Sequence, residues 1–234
     1  EGGPAVGAAG GQAPTGGALG ELLRRHKLPL AVASLGSAGF GTLALVPPLY
    51  GPAFIQQSSD LPPTVVTLSQ LVVYAVPALL SPVVGLLVDS WGAGRTFTLA
   101  AVLGGIVVPA PVIYWWAHAP EAHAVANMYI GQAALGLGLA LGTSLYLWMV
   151  ELFPVHVRVT GVSVAYNVGV GIVGGMGPLV SDAADRVIGA KGLVSAPAAY
   201  TMAFGVLWAL ACVGSRCLAS KGLMRLTHIR DSPY

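Results

Sequence analysis

Long apolar runs, separated by short polar segments, dominate the chain. Six such runs occupy residues 28–50, 64–88, 96–117, 124–150, 160–180 and 196–217. At a helical rise of about 1.5 Å per residue, each run can cross a hydrocarbon core about 30 Å thick. The pattern predicts an all-α membrane protein in which six transmembrane helices form one bundle over residues 28–217.

The two ends of the chain lack this pattern. Residues 1–27 are rich in Gly, Ala and Pro and finish in a basic collar, so they predict a disordered linker. Residues 218–234 carry further basic side chains and predict a basic cytoplasmic tail.

The composition excludes a water-soluble domain. Hydrophobic residues make up 55% of the chain and charged residues only 9%, whereas a soluble domain carries about 25% charge. The 2 cysteines are too few for a disulfide framework. No basic cluster with interleaved aromatics indicates nucleic acid as a partner, and we expect no metal and no cofactor.

The charges between the runs indicate the orientation in the membrane. With six crossings, nine of the 11 Lys and Arg residues fall on the side that holds both termini, and Arg186 and Lys191 fall on the other. This asymmetry is typical of the positive-inside rule. It predicts a multi-pass integral membrane protein with both termini cytoplasmic, and we expect it in the plasma membrane rather than in an organelle.

The chain lacks the groups that hydrolysis inside a membrane requires. A serine-type enzyme needs a His at membrane depth, and an aspartyl type needs two carboxylates there. Every His, Asp and Glu is predicted to lie at an end or in a loop, so we expect no enzyme and no catalytic residue. The G-x-G-x-x-G spacing of Gly169, Gly171 and Gly174 falls inside the fifth run, where it predicts helix packing rather than nucleotide binding. Small residues four apart, at Gly138 and Gly142 or Gly171 and Gly175, predict close helix approach.

Polar side chains inside lipid-spanning helices are candidates for a binding surface, because they are costly unless they face a cavity or a partner. The alternative for the uncharged ones is hydrogen bonding between helices. Aromatic residues near the outer span ends (Tyr50, Tyr114, Trp115 and Trp116) are expected to be interfacial anchors. The candidate substrate-binding residues are Gln70, Tyr74, Gln132, Thr143, Tyr146, Trp148, Tyr166 and Asn167.

Two predicted cytoplasmic connections combine an acid with an arginine around a turn. The second-to-third connection reads Gly85-Leu-Leu-Val-Asp89-Ser-Trp-Gly92-Ala-Gly94-Arg95. The fourth-to-fifth reads Glu151-Leu-Phe-Pro154-Val-His-Val-Arg158-Val-Thr-Gly161. Such loops can latch against neighbouring helix ends, although a solvated turn that obeys the positive-inside rule remains the alternative.

These motifs resemble signatures of the major facilitator superfamily, and within it the metabolite:proton symporter group that includes proline/betaine and dicarboxylate transporters. The first connection resembles G-x-x-x-D-(R/K)-x-G-R-(R/K), except that Ser90 replaces a basic residue and Arg95 is shifted by one. The second matches E-x-x-P-x-x-x-R-x-x-G. Tyr166 and Asn167, followed by Gly174, Gly175 and Pro178, match the G-Y-N and G-G-x-x-P motifs in the eleventh helix of that family. The resemblance covers residues 28–217 as helices seven to twelve of a twelve-helix fold.

The resemblance implies a secondary transporter that works by alternating access between two six-helix bundles. It implies protons and a small polar or charged metabolite (organic acid, amino acid or betaine) as partners, with the proton-coupling carboxylates in the N-terminal bundle. It also implies a cytoplasmic conformational gate formed by Gly85, Asp89, Gly92, Arg95, Glu151, Pro154, Arg158 and Gly161.

Three functional alternatives remain open from the sequence. Because the chain begins at Glu1 rather than Met, we expect the C-terminal half of a longer transporter whose N-terminal six helices are missing. A non-transporting, truncated membrane subunit is the second alternative. An autonomous half-transporter that pairs with a second copy is the third.

Overall fold

The described part of the chain consists of one short helix and six helices of membrane-spanning length. A computed structural model describes residues 17–51, 56, 61–118, 121–188 and 195–222, among which no strand occurs. Helix α1 covers Gly17–Arg25. The six helices that are long and apolar enough to cross a membrane are α2 (Lys27–Tyr50), α3 (Pro63–Trp91), α4 (Ala93–Trp116), α5 (Ala122–Leu152), α6 (Val155–Val187) and α7 (Ala196–Ser220). The predicted all-α architecture and number of membrane-length helices are confirmed.

The helices extend past the apolar runs from which they were predicted. The run at 160–180 is the middle of α6, which continues to Val187. Backbone hydrogen bonding does not stop where the side chains turn polar, so hydropathy underestimates helix length. Asp182 and Asp185 therefore lie in the last two turns of α6, beyond the apolar run from which this helix was predicted.

Helix α1 lies inside the predicted linker. Its Leu22 is fully buried, and α1 packs against the beginnings of α2 and α6. The segment Glu21-Leu22-Leu23-Arg24-Arg25 contains good helix formers, which the surrounding Gly and Ala content obscures. The rest of the predicted linker, 1–16, and most of the tail, 223–234, lie outside the described residues.

Three of the long helices contain a wider, π-helical stretch, and a fourth contains a break. The π-helical stretches cover Val46–Tyr50, Ala101–Val107 and Asn167–Gly174. The first includes two prolines, which cannot donate a backbone hydrogen bond. In α5, a turn at residues 143–144 separates Gly142 from Leu145.

Helix packing relates the first three long helices to the last three. Helix α2 packs against α6 and α7, whereas α5 packs against α3 and α4, and α4 packs against α7. Exchanging α2, α3 and α4 with α5, α6 and α7 maps α2–α6 onto α5–α3 and α2–α7 onto α5–α4, and it maps α4–α7 onto itself. The bundle can therefore be divided into two three-helix units with exchangeable packing, α2–α4 and α5–α7, and we call these units repeats. Because three crossings are an odd number, such repeats run in opposite directions across a membrane.

Close backbone approach holds the repeats together. A Cβ placed on Gly104 of α4 would lie 2.9 Å from the Cα of Gly138 in α5, and one on Gly142 would lie 2.7 Å from the Phe40 ring. The predicted packing at Gly138 and Gly142 is confirmed, since such contacts exclude any side chain.

The second predicted glycine pair does not pack. Among the described residues, a Cβ on Gly175 would meet no heavy atom within 4 Å, and one on Gly171 would meet only its own helix, at Asn167. Gly169 and Gly174 approach α2 instead, where a Cβ on Gly174 would lie 2.8 Å from the carbonyl carbon of Gly41. The G-x-G-x-x-G spacing is therefore a packing feature at two of its three glycines.

Candidate functional site

One end of the bundle, which we call the basic end, brings both predicted gate loops together. It holds the beginnings of α2, α4 and α6 and the ends of α3, α5 and α7. Trp148 of α5 lies between Gly36 of α2 and Gly94 of α4, and its ring centroid is 4.8 Å from that of Phe97. Only 2% of Trp148 is exposed, so this predicted binding residue belongs to the core and does not line a surface.

At the basic end, the α3–α4 turn presents its charges to the outside. Asp89 and Arg95 are both exposed, and within the described ranges neither forms an ion pair. Gly92 adopts a φ of +89°, which favours glycine, and ends α3 sharply. A Cβ on Gly85 would meet no heavy atom of the described segments within 4 Å. This turn is therefore free to engage another surface.

The α5–α6 loop is compact. The Nε of Arg158 donates to the carbonyl of Phe153 at 3.3 Å. A Cβ on Gly161 would lie 2.6 Å from the Phe153 ring, so the matched glycine is required for packing. Pro154 precedes a single 3-10 turn, Val155–Val157, and Glu151 is half-buried at the end of α5. Arg158 and Gly161 therefore fix the loop on the same aromatic residue.

Two predicted binding residues meet between α5 and α6. The hydroxyl oxygens of Tyr146 and Tyr166 are 3.5 Å apart, and the rings stack with centroids 5.9 Å apart. Tyr146 is 48% exposed. The exposed Asn167 donates from its amide nitrogen to the Ser163 carbonyl at 2.8 Å. The structure therefore presents two phenol groups and an amide along one stretch of surface.

Gln70 and Tyr74, which lie one turn apart on α3, have different surroundings. The amide nitrogen of Gln70 donates to the carbonyl of Pro48 at 2.8 Å, which joins α3 to the π-helical end of α2. This bond is the helix-to-helix alternative considered for Gln70. Tyr74, one turn further along α3, is 46% exposed and remains available to a ligand or a partner.

The amide of Gln132 is buried without a hydrogen-bond partner. Its side chain is fully buried, and among the described residues neither its oxygen nor its nitrogen is paired. The neighbouring Gly131 packs on Trp116, whose indole nitrogen is also buried and has no partner in the described part of the chain. Each such group costs about 1–3 kcal/mol when it has no partner. By contrast, Thr143 donates to the Ala140 carbonyl at 2.6 Å and so helps to form the break in α5.

A polar contact that the sequence did not predict lies at the opposite end of the bundle. The hydroxyl of Tyr50 donates to a carboxylate oxygen of Asp185 at 2.5 Å. The other oxygen of Asp185 accepts the backbone N–H of Ala196 at 3.3 Å. This carboxylate therefore joins α2, α6 and α7. Tyr50 and Trp116 are each only 6% exposed, so their prediction as interfacial anchors is wrong, whereas Tyr114 and Trp115 are exposed as expected.

A repeated spacing in the sequence could have revealed this contact. Pro82 of α3 is separated from Pro178 of α6 by the same number of residues as Asp89 of α3 is from Asp185 of α6. At that offset, Leu49 and Tyr50 of α2 correspond to Leu145 and Tyr146 of α5. Tyr50 is the last residue of a π-helical stretch, and Tyr146 follows the turn at residues 143–144. The two Tyr and two Asp residues are therefore equivalent positions of the two repeats.

No protein-family model, curated protein or solved structure matches this chain.

Proposed function

We propose that the chain forms one six-helix wall of a secondary transporter of the major facilitator type, which moves a small polar or charged metabolite together with protons. The observation that carries this proposal is the exchangeable packing of the two three-helix repeats. Inverted repeats of this kind surround a substrate site near the bilayer midplane and permit alternating access. The sequence signatures described above add independent support.

The exposed polar side chains of the spans support a site that is not covered by lipid. Tyr74, Tyr146 and Asn167 are exposed within membrane-length helices, where hydrocarbon would be an unfavourable environment for their polar groups. A second six-helix unit, either an N-terminal half or a second copy, covers this surface and encloses water and substrate against it.

The side chains of this surface limit the chemistry of the substrate. Phenol hydroxyls and amides donate hydrogen bonds to carboxylate or carbonyl oxygens. No Lys or Arg occurs between Phe97 and Val150 in the sequence, so α5 and most of α4 offer no countercharge. An organic acid, amino acid or betaine then takes its countercharge from the second unit.

The equivalent tyrosine and aspartate positions give alternating access a physical basis. In this structure the Tyr50–Asp185 pair is closed. Tyr146 faces Tyr166 instead, and Asp89 forms no hydrogen bond or ion pair with any described residue. In the opposite conformation the repeats exchange roles, so that Asp89 closes onto Tyr146 while the Tyr50–Asp185 pair separates. By the positive-inside rule, the basic end faces the cytoplasmic side of the plasma membrane.

Uptake in proteoliposomes tests this proposal. The chain alone, and the complete product of its gene, are reconstituted and supplied with a panel of radiolabelled organic acids, amino acids and betaines, with and without an inward proton gradient. Gradient-stimulated uptake that Tyr146→Phe reduces, and Tyr114→Phe does not, supports the proposal. Tyr114 is the matched control because it is an exposed tyrosine near the end of α4.

The same assay separates the alternatives. Uptake by the chain alone, accompanied by dimers in mild detergent, identifies an autonomous half-transporter. Absence of uptake from both preparations, across the whole panel, contradicts a transport function and leaves a non-transporting subunit.

A further inference from the structure

Three metal-ligating side chains meet where α1 docks on the α5–α6 loop. The carboxylate of Glu21, the imidazole of His26 and the imidazole of His156 place one ligand atom each within 4.8 Å of one another. Glu21 lies on α1 and His26 follows it, whereas His156 lies in the 3-10 turn that precedes α6. The cluster is separate from the proposed substrate surface.

We propose that Glu21, His26 and His156 form a binding site for a divalent transition metal of the Zn²⁺ class. Two imidazoles and a carboxylate are donors that Zn²⁺ accepts, and a set that is mostly imidazole is a poor match for Mg²⁺ or Ca²⁺, which prefer oxygen ligands. The side chain of His156 is 59% exposed and that of Glu21 is 19% exposed. The site is therefore open to ions from solution and leaves a fourth position for water.

The distances suit a tetrahedral ion. Ligand bonds of about 2.0–2.1 Å place ligand atoms about 3.4 Å apart. The Glu21 carboxylate and His156 Nε2 are already 3.2 Å apart. The rings of His26 and His156 meet edge to face with centroids 6.1 Å apart. Side-chain rotation alone can close the remaining separation, which is at most about 1.4 Å relative to that geometry.

The backbone around the site is already in place. Leu22, next to Glu21, is fully buried, and Val157, next to His156, is 1% exposed. The two buried residues flank the site on both sides, and α1 and the 3-10 turn contact each other. Arg24 and Arg25 follow Glu21 at helical spacing, yet Glu21 contacts His156, and neither arginine forms an ion pair within the described part of the chain. The carboxylate is thus oriented toward the imidazoles.

The nearby basic collar limits the affinity. Arg24, Arg25 and Lys27 are exposed, and their repulsion of a divalent ion is attenuated by water and salt. A bound ion cross-links α1 to the α5–α6 loop. If the chain is part of a transporter, as proposed above, this cross-link restrains the loop that carries Arg158, but metal binding itself does not depend on transport.

Isothermal titration of the purified full chain in nanodiscs with Zn²⁺, at pH 7.5, tests the site. We expect one ion per chain, and at least about tenfold weaker binding in His26→Gln/His156→Gln, because loss even of outer-shell partners costs about 10–100-fold in affinity. The matched control, His118→Gln/His123→Gln, removes two imidazoles near the end of α4 and the beginning of α5, at the end of the bundle opposite the basic end. This control should bind Zn²⁺ as the wild type does. Mg²⁺ should give no saturable heat.

A second measurement reports the cross-link directly. Zn²⁺ should slow tryptic cleavage after Arg24 and Arg25 in the wild type, and the chelator EDTA should reverse the protection. Equal Zn²⁺ affinity and stoichiometry in the wild type and in His26→Gln/His156→Gln, or protection that persists in this variant, would overturn the proposal. Because both measurements use the chain without substrate, their failure is distinguishable from failure of the transport proposal.

Discussion

Removing the Tyr50 hydroxyl should open the end of the bundle opposite the basic end. Tyr50→Phe deletes the bond to Asp185, which is 2.5 Å long, while it preserves the buried ring. A hydrogen bond to a charged group contributes about 1.5–3 kcal/mol. Because Asp185 is half-buried and keeps its bond to the Ala196 N–H, we expect the lower value. About 1.5 kcal/mol corresponds to roughly a tenfold change in the population of the open form.

Thiol accessibility measures this change. Ser181 lies one turn before Asp185 and is fully buried, so Ser181→Cys, in a Cys212→Ala/Cys217→Ser background, reports opening. In Tyr50→Phe and in Asp185→Asn, its labelling by an impermeant maleimide should accelerate roughly tenfold. Tyr114→Phe, in the same background, should leave the rate unchanged. Identical rates in all four proteins would refute the idea that this contact holds the end closed.

Three further substitutions test the packing and the gate. Trp148→Ala should cost about 3–5 kcal/mol and lower the apparent Tm in detergent by more than about 6 °C, whereas the exposed Trp115→Ala should have little effect; equal Tm values would contradict the core position of Trp148. Gly138→Leu should push α4 and α5 apart and yield aggregates in size-exclusion chromatography, whereas Gly175→Leu should elute as the wild type does. Asp89→Ala should reduce uptake by the complete protein without reducing membrane insertion, and undiminished uptake would exclude a gating role for this carboxylate.

The number and approximate position of the long helices were predictable because hydropathy depends on local composition. The ends were not, since α6 continues through polar residues to Val187. The same limitation hid Asp185, whose contact with Tyr50 joins residues far apart in sequence. The spacing between Pro82 and Asp89 equals that between Pro178 and Asp185, and this can be seen in the sequence. Its structural significance is clear only once the packing of the two repeats is known.

The direction in which a side chain faces was the least predictable feature of the candidate site. Tyr146 and Trp148 are two residues apart in α5, and both are amphipathic aromatics. The first is exposed beside Tyr166, whereas the second is buried against Phe97. Residue type cannot distinguish these outcomes, because α5 contacts neighbours on some faces only. Helix α1 was missed for a related reason, since the burial of Leu22 depends on α2 and α6.

The opposite orientation of the two repeats can be measured directly by labelling Asp89→Cys and Asp185→Cys. Both are made in the Cys212→Ala/Cys217→Ser background and are treated with an impermeant maleimide, in intact cells and in inside-out vesicles. If the chain crosses the membrane six times as two inverted repeats, the thiol of Asp89→Cys should react only from the cytoplasmic side and the thiol of Asp185→Cys only from the other side. Labelling of both positions from the same side would contradict the inverted repeat and, with it, the proposed transport mechanism.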